Sequence, residues 1–229
     1  MLEFNSFSGN PHSVHITLRD TANPGWKPNT SIERPPSRVA VVSALITQAL
    51  LRANTAKLGG RTRAAYVGQA INIRERTVPP VSKHTCGTWV SMSGFEYTAD
   101  ECCRLEYREI VSKMRETLIQ GVKDCEKIVS DQAFGRWALI DVNYDAAKKA
   151  ACSDSKVVWF TDWSNFGEYE LDFGWGKPIW VSLSNVYVQD MVILMNTKEN
   201  DGIEAWVYLH ESEMAYFEQD EEVIKFITN

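Results

Sequence analysis

The sequence has no excess of basic charge, no long apolar run and few cysteines, and each shortage removes a class of function. Lys and Arg number 24 against 30 Asp and Glu, which leaves a net charge of −6 and a pI near 5.3. A phosphate polymer needs a basic face to displace its counterions, so nucleic acid and anionic membrane are excluded as main partners. A local basic pocket for a small phosphorylated cofactor stays open. No stretch of roughly 18 apolar residues occurs, so no transmembrane helix is expected. Met1 to Ser13 lacks a basic region followed by an apolar core, so no secretory signal is expected there. Five cysteines, of which only Cys102 and Cys103 are adjacent, match neither zinc spacing nor a disulfide framework. Reduced thiols, no metal and a soluble, cytoplasmic protein are the expectation. No internal repeat or low-complexity tract is present.

What is present describes a globular chain. Its 229 residues, 44% hydrophobic and 11% aromatic with eight tryptophans, suffice for one large domain or two small ones. Residues 1–36 are rich in Ser, Asn and Pro, end in Pro35-Pro36, and read as an irregular segment or linker. From Ser37, in the N-cap position, apolar residues at helical spacing run to Asn54 and predict a buried helix. Ala64 to Ile73 predicts a strand that runs out through Arg74-Glu75-Arg76 into Pro79-Pro80. Between Asp100 and about Asp131, Leu105, Ile110, Met114, Leu118, Val122, Cys125 and Val129 predict one long amphipathic helix.

Four β-rich runs follow, at Val157–Phe160, Pro178–Val188, Met191–Asn196 and Ile203–Leu209. Asn200-Asp201-Gly202 marks a hairpin turn in which Gly accepts the positive φ. Short helices are expected over Glu211–Glu218 and Glu221–Phe226. The order predicts an α/β fold, a mixed β-sheet layered with helices.

Several residues invite a chemical reading and a plainer one. Asp172-Phe173-Gly174-Trp175-Gly176 reads as a rigid turn: its glycines tolerate unusual backbone angles, and Asp172 can bond nearby amides or an arginine. Arg74 stands where a strand meets a loop and is by itself a solvated arginine. Thr161 is a strand residue and Trp163 core. Ser37 is a helix cap, Ser43 a small packing residue, and the helix start at Ser37 and Arg38 presents free N–H groups that suit a phosphate.

The Asp172 to Gly176 string resembles the signature of the plant BAHD acyltransferases, in their vinorine synthase-like clade. Three more segments resemble the family in the same order: Pro36 to Ala44, Ile71 to Arg76 with Pro79-Pro80, and Met195 to Lys198 with Asp201 to Val207. The resemblance covers roughly residues 35–229. It implies a chloramphenicol acetyltransferase-like fold with residues 37–229 as the C-terminal domain. It further implies acyl transfer from a coenzyme A thioester to an alcohol or amine of a plant specialised metabolite, without metal.

The resemblance also implies roles for the residues above. Arg74 matches an arginine that pairs with the aspartate of the family's His-x-x-x-Asp motif. Thr161 and Trp163 match an element that offers donors to the tetrahedral oxyanion, with Asp162 where serine is usual. Ser37, Arg38 and Ser43 border the cofactor, and Asp172 to Gly176 supports structure and cofactor binding without touching the reacting atoms. Cys86-Gly87-Thr88 stands where the family usually shows Gly-Asn. The residues four positions beyond His12, His15, His84 and His210 are Ile16, Arg19, Thr88 and Met214. The family's general base is therefore not found here, and His15 to Asp20 is one residue too long. The expectation is the C-terminal part of an acyltransferase, with little turnover alone, partnered by acyl-CoA, an acceptor and an N-terminal half or full-length relative. A non-catalytic module that binds a ligand or such a relative is the alternative.

Overall fold

The computed structural model describes residues 13–19, 35–77, 79–130, 135–151, 154–183 and 188–227. Its strands are β1 (Ser13–Arg19), β2 (Ala64–Asn72), β3 (Val90–Tyr97), β4 (Ser155–Asp162), β5 (Met191–Asn196) and β6 (Gly202–Tyr208). Its helices are α1 (Arg38–Lys57), α2 (Ala99–Cys102), α3 (Tyr107–Ser130), α4 (Gly135–Ala150), α5 (Glu211–Phe217) and α6 (Glu221–Ile227). The strands form a six-stranded sheet in the order β1-β6-β5-β4-β2-β3, the layered α/β arrangement that the sequence predicts. The chain divides into two compact units, one of residues 1–61 and 160–229 and the other of residues 62–159.

In the first unit β6 is buried at every position. It is hydrogen-bonded antiparallel on both edges, with Ala205 opposite Ile16 of β1 and Leu194 of β5. β1 corrects the reading of residues 1–36 as loop throughout. Val14, Ile16 and Leu18 are buried, and their alternation with His15, Thr17 and Arg19 is the two-residue period of a half-buried strand. Residues 1–12 and 20–34 lie outside the described residues.

α1 is the core helix of this unit. Ser37 sits extended at φ −69 and ψ 156 and its hydroxyl oxygen accepts the Ala40 N–H at 3.2 Å. Burial then runs almost continuously from Val41 to Asn54. The helix is long and apolar enough, by length and composition, to cross a membrane. That corrects the expectation that no segment qualifies, although two-thirds of the stretch is buried inside the fold, as in a core helix. Gly59 closes the helix at φ 65, with Gly59 N–H donating to Ala56 and Gly60 N–H to Thr55 at 3.0 and 2.9 Å.

Helices α5 and α6 pack on α1. Arg52 forks onto Asp220 through Nε and Nη2 at 2.7 and 2.9 Å. Asp220 also accepts the N–H groups of Glu222 and Val223 at 3.1 and 3.2 Å and so caps α6.

The hairpin turn between β5 and β6 forms as predicted, but Asn200, at φ 56, takes the positive φ and not Gly202. Asn tolerates that region because its short amide can bond locally. The run Pro178–Val188, predicted as a strand, contains no strand among residues 178–183 and 188, and residues 184–187 lie outside the described residues.

The second unit is built on the antiparallel pair β2 and β3, where Gly68 faces Gly94. A Cβ on Gly68 would stand 2.0 Å from the Trp159 ring, and one on Gly94 would stand 2.4 Å from the Tyr66 hydroxyl. Only hydrogen fits there, and Tyr66 and Trp159 meet edge to face with centroids 5.3 Å apart. α3 is tied to this pair through Gln69 Nε2 to Met114 O at 3.1 Å and Ser93 Oγ to Thr117 O at 2.9 Å.

The single helix predicted from Asp100 is two helices. Thr98 and Glu101 form a reciprocal capping box that starts α2, and α3 begins only at Tyr107. β3 and α4 were not predicted from the sequence.

Two stability outcomes follow from this packing. Arg52→Met is expected to lower the unfolding free energy by on the order of 1 to 2 kcal/mol in urea titrations, since a charged hydrogen-bonded pair is lost at a half-exposed site. Burial raises the Asp220 carboxyl, but the Arg52 contacts and the Val223 and Glu222 amides outweigh it and hold the group below its ordinary value. Its contribution is thus complete above the unfolded carboxylate range and fades as pH falls through the depressed folded value, a fading that Asp220→Asn should remove. Gly68→Ala is expected to destabilise by about 1 to 3 kcal/mol by overpacking against Trp159, read as a lowered thermal midpoint.

Candidate active site and cofactor wall

Thr161 is the penultimate residue of β4 and Trp163 follows the strand end, so the two side chains, two positions apart, lie on the same side of the extended chain. The Trp163 indole N–H donates to Thr161 Oγ1 at 3.1 Å. One donor is therefore consumed by the other, and the Thr161 hydroxyl hydrogen remains to donate. Trp163 is set by its backbone N–H to Leu194 O at 2.7 Å and by packing on the cluster of Ile193, Met195, Trp206 and Tyr208. It also stacks on Phe166, with centroids 5.9 Å apart. Asp162, in place of the family's usual serine, is exposed and accepts the Ser164 N–H at 2.9 Å. Its carboxylate tightens the turn that carries Trp163.

The three residues expected at a cofactor wall separate by role. The Ser37 hydroxyl oxygen is occupied by the Ala40 amide. Ser43 is buried, and its carbonyl accepts the Thr47 hydroxyl at 2.8 Å. Arg38 is half-buried and donates from Nη1 to Asn200 O at 2.9 Å, with Nη2 3.4 Å from Asn200 Oδ1. Ser37 and Ser43 thus serve the helix, and Arg38 keeps a cationic head steadied by the hairpin. The sequence marks Asn200 only as part of a hairpin turn, and its part in holding Arg38 across 162 residues leaves no local signal.

The Asp172 to Gly176 string is an exposed turn organised by its carboxylate. Asp172 Oδ1 accepts the N–H of Gly174 at 2.7 Å and of Gly176 at 3.0 Å. The two glycines have φ 103 and 104, where other residues are strained. Phe173 and Trp175 point into solvent, 71% and 83% exposed, and stack with centroids 5.7 Å apart. The Gly174 amide and then the Gly176 amide hold the Asp172 carboxyl below its ordinary range.

Tyr169, just before this turn, is buried. Its hydroxyl lies 3.4 Å from Glu204 Oε1 and accepts the Val181 N–H at 3.4 Å. Burial, and then Glu204, push the Tyr169 phenol up. A glutamate inside an otherwise apolar strand run, Ile203 to Val207, is the sequence signal that could have found this pair.

Arg74 lies in the second unit and is half-buried. Its Nε donates to Thr85 O at 2.9 Å, its Nη2 to Gly87 O, and its Nη1 is 3.4 Å from Asn72 Oδ1. These acceptors are all neutral. Arg74 here pins the loop of residues 82–88 through its planar fork.

The Asp172 geometry gives a direct test. In Asp172→Ala the amides of residues 173–177 are expected to exchange hydrogen about tenfold faster. In the wild type the same loosening should begin only as pH falls through the depressed carboxyl value, since the bonds need the ionised form.

Comparisons with known proteins bear on the family and on the fold. The profile described as the Transferase family matches residues 18–224. A malonyltransferase of Salvia splendens, pelargonidin 3-O-(6-caffeoylglucoside) 5-O-(6-O-malonylglucoside) 4'''-malonyltransferase, is 37% identical over 193 residues, 84% of this chain and 46% of that protein. The crystal structure of vinorine synthase matches with a TM-score of 0.71 at 24% identity, over 94% of this chain and 48% of that one. The F. sporotrichioides TRI101 structure, complexed with coenzyme A and T-2, matches with a TM-score of 0.67 at 19% identity, over 93% of this chain and 50% of that one. At these identities the structural matches show the fold. The chain spans about half the length of the curated relatives it matches. By the extent of the profile match and the likeness to the malonyltransferase, the chain belongs to the Transferase family, the BAHD acyltransferases.

Proposed function

We propose that the chain is the C-terminal part of a cytoplasmic BAHD enzyme that moves an acyl group from acyl-CoA to a hydroxyl or amine of a plant specialised metabolite, residues 37–229 forming the domain. The family match over residues 18–224 carries this reading, and the half-length coverage of the relatives supports assigning it to one part. β1, from the preceding segment, then serves as the edge strand of that domain.

The reaction needs a base to take the acceptor proton, and a histidine suits that role at neutral pH. None of the four histidines in this sequence has aspartate four positions on, so the base is assigned to a part of the enzyme outside it. The chain would contribute the response to the oxyanion. When the acceptor oxygen attacks the thioester carbonyl, negative charge grows on the carbonyl oxygen. The Thr161 hydroxyl, its oxygen already engaged by Trp163, has its hydrogen to give to that charge. The two residues act in series, Trp163 orienting Thr161 and Thr161 donating. Arg38, held by Asn200, is the residue proposed to meet a coenzyme A phosphate; Ser37 and Ser43 shape the helix that carries it. Arg74 would order its loop, and a carboxylate from the other part would have to approach a guanidinium already engaged on three sides.

A second reading, a non-catalytic module that binds a ligand or a full-length relative, is favoured by one observation, the exposure of Trp175 at 83%. The two separate on activity. The isolated chain is expected to bind coenzyme A in calorimetry, weakened in Arg38→Ala, yet to acylate no acceptor from a panel of acyl-CoA donors. Joined to the first half of the Salvia malonyltransferase it is expected to turn over, with Thr161→Val lowering kcat by on the order of a hundredfold. Enzymatic turnover by the isolated chain would overturn the assignment of the base.

A further inference from the structure

The second unit holds two adjacent thiols on which the acyl-transfer reading makes no call. Cys102 is the last residue of α2 and Cys103 caps it; both are free, Cys103 exposed and Cys102 half-buried. The Cys103 thiol donates to the Thr62 hydroxyl oxygen at 3.3 Å. Burial and then the neighbouring Cys103 push the Cys102 thiol up to about 11. Such a thiol stays protonated at neutral pH and is a poor nucleophile by itself. Beside it lies Tyr97, 1% exposed, whose hydroxyl has no hydrogen-bond partner among the described residues. Burial, then Glu109 and Cys102, raise that phenol, which places the Cys102 thiol within its electrostatic reach. Buried hydroxyls are nearly always paired, so this one suits an oxygen that a ligand brings to the thiol.

The backbone decides what the pair can bind. Cys102 N–H donates to Thr98 O at 3.0 Å, Cys103 N–H to Ala99 O at 3.2 Å and Arg104 N–H to Glu101 O at 3.0 Å. Cys103 itself is helical, at φ −68 and ψ −21. Consecutive Cα atoms stand about 3.8 Å apart, inside the roughly 4.4 Å at which disulfides begin. A direct S–S bond would therefore have to open the turn that Thr98 and Glu101 cap. A bridging atom lengthens the link and spares the turn. Zinc is a poor bridge, because it wants four ligands and no group of three His, Cys, Asp or Glu suited to a metal occurs among the described residues. Trivalent arsenic needs only two sulfurs and one further substituent, and sulfur is the soft donor that suits a soft acceptor. Arsenous acid is uncharged at neutral pH, so the Glu101 and Glu109 carboxylates that raise the Tyr97 phenol do not repel it.

We infer that Cys102 and Cys103 form a bidentate site for a trivalent arsenical, arsenous acid or a singly substituted arsonous acid. This goes beyond the acyltransferase reading and does not depend on it. The exposed Cys103 sulfur attacks first and forms an S–As bond, while one hydroxyl leaves arsenic with the thiol proton as water. Cys102 then closes the ring in the same way and releases a second water. Arsenic stays trivalent, and nothing is oxidised or reduced. Closure within one molecule offsets the weak nucleophilicity of the buried thiol. In arsenous acid the third hydroxyl stays on arsenic as the oxygen for Tyr97.

The test incubates the reduced full chain with phenylarsonous acid and weighs it by native mass spectrometry. One arsenical per chain is expected to survive an excess of mercaptoethanol and to be stripped by dimercaptopropanol, because only a dithiol competes with a chelate. Retention against the monothiol should fall on the order of a hundredfold in Cys103→Ser and in Cys102→Ala. Cys103 is exposed, so Cys103→Ser carries the test if Cys102→Ala fails to fold. Cys86→Ser and Cys152→Ser should leave retention unchanged. Retention in Cys103→Ser equal to the wild type, an adduct that mercaptoethanol removes from the wild type, or loss of retention in Cys86→Ser or Cys152→Ser would overturn the proposal. So would a Cys102–Cys103 disulfide formed readily with oxidised glutathione, since the turn would then be free to open.

Discussion

Full burial of β6 is the constraint on which the first unit turns. A strand can be buried along its whole length only if both edges are hydrogen-bonded, and β1 and β5 satisfy the two edges of β6. β1 therefore belongs to the core although it lies in a polar, proline-rich stretch. The tight return from β5 to β6 forces a positive φ on Asn200, and the carbonyl and amide of Asn200 become the seat for Arg38. Glu204 sits in the same buried strand, and the Tyr169 hydroxyl comes to its side. The hairpin thereby fixes a cation at the start of α1 and the root of an exposed aromatic turn.

The arrangement of Thr161 and Trp163 depends on the same scaffold. Trp163 packs on Trp206 and Tyr208 of β6 and on Ile193 and Met195 of β5, so its indole has no freedom to turn elsewhere. A hydroxyl that accepts from a fixed indole has one proton left and few directions in which to aim it, which is the condition for a preorganised donor. The carboxylate of Asp162 is spent on the Ser164 amide, and the departure from the family's serine is accommodated in the turn.

Most of the fold was legible where a single period ran long enough to read. α1 announced itself by a Ser cap and continuous apolar residues, and β5 and β6 by β-branched runs around an Asn-Asp-Gly turn. β1 was missed because the surrounding Ser, Asn and Pro masked a seven-residue alternation. β3 was missed because Gly94 and two serines dilute its pattern; the missing side chain of Gly94 leaves room for the Tyr66 ring, and that of Gly121 leaves room for Ser93. The break between α2 and α3 interrupts an apolar spacing that continues on both sides. At the candidate site, residue types and order were visible, but the direction of the hydrogen bonds was not. That Trp163 donates to Thr161, that Ser37 is spent on its own helix and that Arg74 holds carbonyls are facts of three-dimensional packing that one-dimensional spacing does not carry.

The Thr197 hydroxyl has a consequence for the lifetime of the molecule. Asp-Gly sequences age by attack of the glycine nitrogen on the aspartyl carbonyl, which closes a succinimide and reopens as isoaspartate. In Asp201-Gly202 the glycine N–H is held by Thr197 Oγ1 at 2.9 Å, and the Thr197 hydroxyl is 2.6 Å from Asp201 Oδ1. Nucleophile and electrophile are both restrained by one buried threonine, so the turn that seats Arg38 is shielded from a slow chemical clock that runs freely in the unfolded chain.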